Sequence, residues 1–195
     1  MTLGSQSSHA VDFGFVAYPE YQDGYVLTGK ITTDGTIGDL TGHITAWEWY
    51  TSNGVKTYSL NSSQANTFMN LVGVISTADG QILLPRLEGE VTTNNLLELG
   101  GPNPNEGTMS LYWRSGAFNI FTQPILPQPA TDTFGIRGSR ANPLPAWIDS
   151  GFLNLPSTTG PIVIATIIPV PEPSTYVLTL LGIAGLGVAK LARRR

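Results

Sequence analysis

The chain has 195 residues, 41% of them hydrophobic and 12% charged, with 14 acidic side chains against 10 lysines and arginines. It contains no cysteine, which excludes disulfides, thiol catalysis and thiolate metal ligands and leaves packing alone to hold the fold. Residues 1–170 carry six bases against 13 acids, a net charge of −7 that repels phosphate backbones and excludes a nucleic-acid partner.

Residues 1–10 are polar and lack the apolar stretch of a signal peptide. Two readings stay open for them. They form a disordered polar terminus, or they are the remnant of a longer signal in which Ser8 and Ala10 occupy the positions a signal peptidase reads, making Val11 the first mature residue.

From 11 to 168 the pattern is that of one β domain. Short runs rich in Val, Ile, Thr, Tyr and Trp are punctuated by Asp23-Gly24, Asp34-Gly35, Asn53-Gly54 and Asp79-Gly80, all turn signals. The runs predict strands at 11–16, 25–31, 43–51, 55–60, 71–76, 81–84, 96–99, 109–114, 118–121 and 162–168. A short helix fits only at 62–70. Many short strands without a helical period predict an all-β fold: an antiparallel β-sandwich, jelly-roll-like, with a closed barrel as the alternative. Stretches 102–107 and 124–161 are dense in Pro, Gly, Asn and Ser and read as loops, the second folding back through Phe134, Trp147, Ile148 and Phe152.

In the run 43–51, alternation puts Trp47 and Trp49 on one face. Buried, they belong to the core, which is the commoner fate of tryptophan. Exposed, they make a platform for sugar rings with Tyr112 and Trp113.

Catalytic chemistry is poorly represented. His9 and His43 are the only histidines, no nucleophile motif accompanies them, and His43 reads as a satisfied surface residue. Glu88 and Glu90, with Glu48 or Glu98, have the residue type of a glycosidase pair, yet nothing in their spacing selects them over a solvated surface. The Asp-Gly turns lack the Asp/Asn ladder of a calcium loop. No catalytic residues, no metal, no cofactor and no enzymatic activity are therefore expected.

The last segment, 169–195, is organised differently. Pro169, Pro171 and Pro173 hold the backbone extended, so the uncharged run 175–189 begins as a fresh helix. At about 1.5 Å per residue that run reaches about 22 Å, short of a bilayer core of about 30 Å. A transmembrane helix of about 175–192 closes the gap if Lys190 snorkels, and Arg193, Arg194 and Arg195 stop it on the cytoplasmic side.

This order of parts, with Val170, Pro171, Glu172, Pro173 and Ser174 ahead of an apolar helix and a basic end, resembles the PEP-CTERM sorting signal of bacterial exported proteins. The resemblance implies processing by an exosortase, a membrane-embedded cysteine transpeptidase or protease, near Pro171 to Pro173. A second stretch, Gly29 to Leu40 followed by Ile44-Thr45-Ala46-Trp47, is similar to an N-terminal strand-turn-strand phrase of PEP-CTERM proteins without assigned biochemistry. It implies fold and not activity.

Together these expectations describe an inner-membrane-anchored precursor with an extracytoplasmic body, later at the cell surface or extracellular. The expected function is that of a non-enzymatic surface or extracellular-matrix protein associated with exopolysaccharide. The alternative is a carbohydrate-binding module or weak glycan hydrolase of the same matrix.

Overall fold

The computed structural model describes residues 9–19, 22, 24–103, 107–116, 128–129, 131–138, 153–154 and 160–169. Its strands run in the order β1 (Val11–Phe15), β2 (Val26–Thr33), β3 (Gly38–Asp39), β4 (Ile44–Ser52), β5 (Thr57–Asn61), β6 (Phe68–Val72), β7 (Ile75–Ser76) and β8 (Gln81–Leu84). There follow β9 (Glu90–Val91), β10 (Asn94–Asn103), β11 (Gly107–Gly116), β12 (Gln128–Pro129), β13 (Thr131–Gly138), β14 (Leu153–Asn154) and β15 (Ile162–Ile167). All pairings among the described residues are antiparallel. An eight-stranded sheet runs β3-β7-β8-β15-β1-β2-β4-β5, a five-stranded sheet runs β14-β13-β11-β10-β6, and β12 pairs with β9.

The alternation of the sequence decides which side chains go inside. In β4, Trp47, Trp49 and Thr51 point into the protein while Thr45, Glu48 and Tyr50 stay exposed. The two larger sheets share one apolar core: Phe13, Leu27, Ile31 and Leu60 come from the first, and Leu97, Leu99, Leu111 and Ile136 from the second. Aromatic side chains tie the layers together. Phe15 stacks on Trp113 with ring centroids 5.3 Å apart, and Trp113 stacks in turn on Phe134 at 5.2 Å. The Trp49 indole Nε1 donates to the Leu99 carbonyl at 3.2 Å, bonding the first sheet to the backbone of the second.

Glycines stand where the predicted turns need them. Gly24, Gly35, Gly54 and Gly80 all have φ between 77° and 86°, the left-handed region that a side chain penalises. Asp34-Gly35 does not make a tight hairpin, however. Between β2 and β4 the chain leaves to pair β3 with β7, then returns through a His43 N–H to Leu40 carbonyl bond of 3.0 Å.

Four sequence expectations differ from the structure. The stretch 124–161, expected as a loop, contains β12, β14 and the eight-residue β13, which pairs with β11 and buries Phe134 and Ile136 in the core, a pairing that local Pro and Gly density does not reveal. The helix expected at 62–70 is absent: the Asn61 carboxamide oxygen accepts from Ser63 N, Asn66 is left-handed at φ 62°, and β6 begins at Phe68. Side-chain capture of the backbone outcompetes the helix there. The single strand expected at 71–76 is broken at Gly73, whose φ of 65° turns the chain so that β6 joins the five-stranded sheet and β7 the eight-stranded one. Conversely, the strand expected at 96–99 runs on through Gly100 and Gly101. A Cβ at either would collide with Phe68 or Thr67, so these glycines permit close packing and do not end the strand. Expectations for 118–121, Trp147, Ile148 and Phe152 lie outside the described residues.

Candidate functional site

The junction between body and tail is built by β15, an inner strand. β15 lies between β8 and β1, with Ile162 opposite Leu84 and Phe13 opposite Ile167. Its Ile162, Ile164 and Ala165 are buried, which accounts for the first half of the apolar run 162–168, whereas Ile167 and Ile168 at its end are exposed. Beyond the pairing, Ile168 N still donates to the Asp12 carbonyl at 2.9 Å, and Ile167 N to that of Gly80 at 2.7 Å. Residues 166–169 are exposed, and the described backbone of this segment ends at Pro169. Because β1 is antiparallel to β15, the backbone before Val11 emerges at the same end of the sheet.

Two ion pairs bracket that end. Lys30 Nζ lies 2.7 Å from Asp12 Oδ2, and Thr32 donates to the other carboxylate oxygen at 2.6 Å. These bonds hold the Asp12 carboxyl below its ordinary range. Asp34 sits at the end of β2 and pairs through Oδ2 with His43 Nδ1 at 2.8 Å, while Thr36 N donates to Oδ1 at 3.0 Å. The His43 bond first, then the Thr36 amide, draws the Asp34 carboxyl from an ordinary 3.8 down to about 2. His43 and Asp34 have the pairing of the lower half of a catalytic triad. His43 also donates its main-chain N–H to the Leu40 carbonyl and accepts at its own carbonyl from Asp34 N, so the pair closes the turn between β2 and β4.

The four aromatic residues considered for a sugar platform are interior. Trp47, Trp49, Tyr112 and Trp113 retain 5%, 1%, 6% and 0% exposure, which corrects the platform reading: their rings are covered and cannot receive a sugar face. Glu48 and Glu98 do not converge either, and the side chain of Glu90 lies outside the described residues. Glu48 is exposed on the outer face of the eight-stranded sheet, whereas Glu98 is buried in the five-stranded sheet, accepting from Ser110 Oγ at 2.7 Å and Asn70 Nδ2 at 2.9 Å. Glu98 was legible only as a glutamate of a predicted strand, because its partners come from β6 and β11, registers that spacing along one run cannot reveal. Among the described residues no group of three or more His, Asp or Glu side chains is placed to hold a metal ion, and no helix is long and apolar enough to cross a membrane.

The sorting residues Val170, Pro171, Glu172, Pro173 and Ser174, the helix expected at 175–192, and Lys190, Arg193, Arg194 and Arg195 lie outside the described residues, as do residues 1–8. Comparison with known proteins bears on this part of the chain. No curated protein and no solved structure matches the sequence. A family model describing the PEP-CTERM protein-sorting motif matches residues 169–195, beginning two residues beyond the end of β15. The chain thus carries a PEP-CTERM protein-sorting motif, which implies export, anchoring in the membrane before processing, and sorting by an exosortase.

Proposed function

We propose that this is a non-enzymatic protein of the cell surface or extracellular matrix, delivered by its sorting tail and associated there with exopolysaccharide. The observation that carries the reading is the PEP-CTERM motif at 169–195. In this account the body is a jelly-roll-like sandwich outside the cytoplasmic membrane. A helix over about 175–192 holds it to the bilayer, and Lys190, Arg193, Arg194 and Arg195 keep the end inside. The exosortase cuts near Pro171 to Pro173, an extended segment just outside the helix, where Glu172 is the only acid after Asp149.

The fold suits such a tail. A cut beyond Pro169 leaves β15 and both of its neighbours paired, so release costs the body none of its sheet. The second reading, a carbohydrate-binding module or weak hydrolase, has lost its aromatic platform to the core, and its Glu48 and Glu98 lie in different sheets. Only its binding half retains support, from a polar cleft on the eight-stranded sheet.

The test is expression with a leader peptide in a host that carries an exosortase. Intact-mass measurement should find a released form lacking the tail and co-fractionating with exopolysaccharide. A wild-type chain still ending at Arg195 refutes exosortase sorting, and a released form that never accompanies polysaccharide refutes the matrix association.

A further inference from the structure

We infer that the cleft on the outer face of the eight-stranded sheet binds a non-acidic sugar unit of a polysaccharide chain. The inference rests on the matrix reading above and gives it a binding site. The cleft, about 320 Å³, lies between the solvent face of β2, β4 and β5 and the turn that follows Asn61. Its volume is at the lower end of small-molecule sites, which begin at about 300 Å³.

Lys30, Glu48 and Asn61 stand side by side in register across three strands. At about 4.8 Å per strand they span about 10 Å, the scale of one or two linked sugar rings. Their hydrogen-bonding capacity is largely unspent. Among the described residues the Glu48 carboxylate has no hydrogen-bond partner, and the Asn61 Nδ2 donors are free because only its Oδ1 is used, by Ser63. Lys30 gives one of its three donors to Asp12. A row of donor, acceptor and donor suits neighbouring hydroxyls, each of which donates and accepts. Ala46 supplies a small apolar patch in the cleft, and Tyr50, 44% exposed and two residues beyond Glu48 on the same face, offers a ring to a second sugar.

Charge selects the class of sugar. Lys30 is shared between Asp12 and, more weakly, Glu48, so two carboxylates against one ammonium leave the cluster with a net negative charge that disfavours uronic acids. No metal-ligand cluster is present among the described residues.

The test is calorimetric titration of the full chain in detergent micelles with soluble gluco-, manno- and chito-oligosaccharides and with an oligouronate. Saturable binding of at least one non-acidic oligosaccharide is expected. Glu48→Gln and Asn61→Asp should each weaken it at least ten-fold with an unchanged melting temperature, since the carboxylate introduced by the second keeps the oxygen that caps the turn. Val72→Ser, on the other sheet, should leave it intact. Absence of saturable binding, a preference for the oligouronate, or affinity untouched by both cleft variants overturns the inference. If co-fractionation with exopolysaccharide persists in any of those cases, the cleft fails and the matrix reading stands. If the cleft binds but co-fractionation is absent, the matrix reading fails alone.

Discussion

Asp34 accepts bonds from His43 and the Thr36 amide that its unfolded counterpart lacks, and its carboxyl falls from 3.8 to about 2. The sign follows by linkage: a carboxyl depressed by folding stabilises the folded state above its unfolded value and loses that contribution as pH falls toward the folded one. The melting temperature should therefore decline from pH 3.8 toward pH 2, and Asp34→Asn should flatten part of that decline. Asp12 and Asp39, depressed by Lys30 and by the Thr41 amide, act in the same direction, so the variant leaves a residual slope. A thermal melt series across that interval checks this, and identical slopes for both proteins count against it. Inside the body, Trp49 fills a fully covered site and bonds to the Leu99 carbonyl. Trp49→Ala should cost about 3–5 kcal/mol in denaturant unfolding. A cost below about 1 kcal/mol is inconsistent with the covered geometry.

At the scale of the strand, Gly29 is the sharpest constraint. Its φ is 128° in the middle of β2, and a Cβ there would run into the Glu48 carbonyl of the neighbouring strand. Gly29→Ala should lose at least about 1–3 kcal/mol of stability from backbone strain alone. Urea titration reads it, with Gly54→Ala, at an open turn, as the milder comparison. The same strands show how far local sequence reaches. β1, β2, β4 and β8 were legible because apolar alternation and Asp-Gly or Asn-Gly punctuation are properties of consecutive residues. The crossing at Gly73 and the extension through Gly100 and Gly101 were not, since both depend on which strand lies alongside. Likewise the Trp47–Trp49 face was visible as a face, while its inward direction was settled by the second sheet. The row of Lys30, Glu48 and Asn61 existed in the sequence only as three scattered polar residues, because register brings them together.

For the molecule as a whole, the sorting tail was the most legible part, since its proline-bounded motif, apolar run and basic end are contiguous and need no tertiary partner. Glu172→Ala, or Pro171 and Pro173 both to Ala, should leave membrane insertion intact because the apolar run 175–189 and the closing arginines are untouched. Release should fail, and intact-mass measurement should find the precursor at full mass in the membrane fraction. Normal trimming of these variants would remove the motif from the processing step. In spheroplasts of cells making the precursor with a leader, added protease should reach the body, and protection there would reverse the proposed orientation.

The placement of β15 also governs timing. β1 and β8 flank a gap that only residues 162–167 can fill, so the larger sheet stays incomplete until almost all of the body has been synthesised. Contacts this remote in sequence form slowly and late. In the proposed topology, a chain exported from its N-terminal side therefore cannot complete the larger sheet until residues 162–167 have crossed the membrane. The closing strand is covalently next to the anchor, which ties the end of transport and the completion of the fold to one short stretch of backbone.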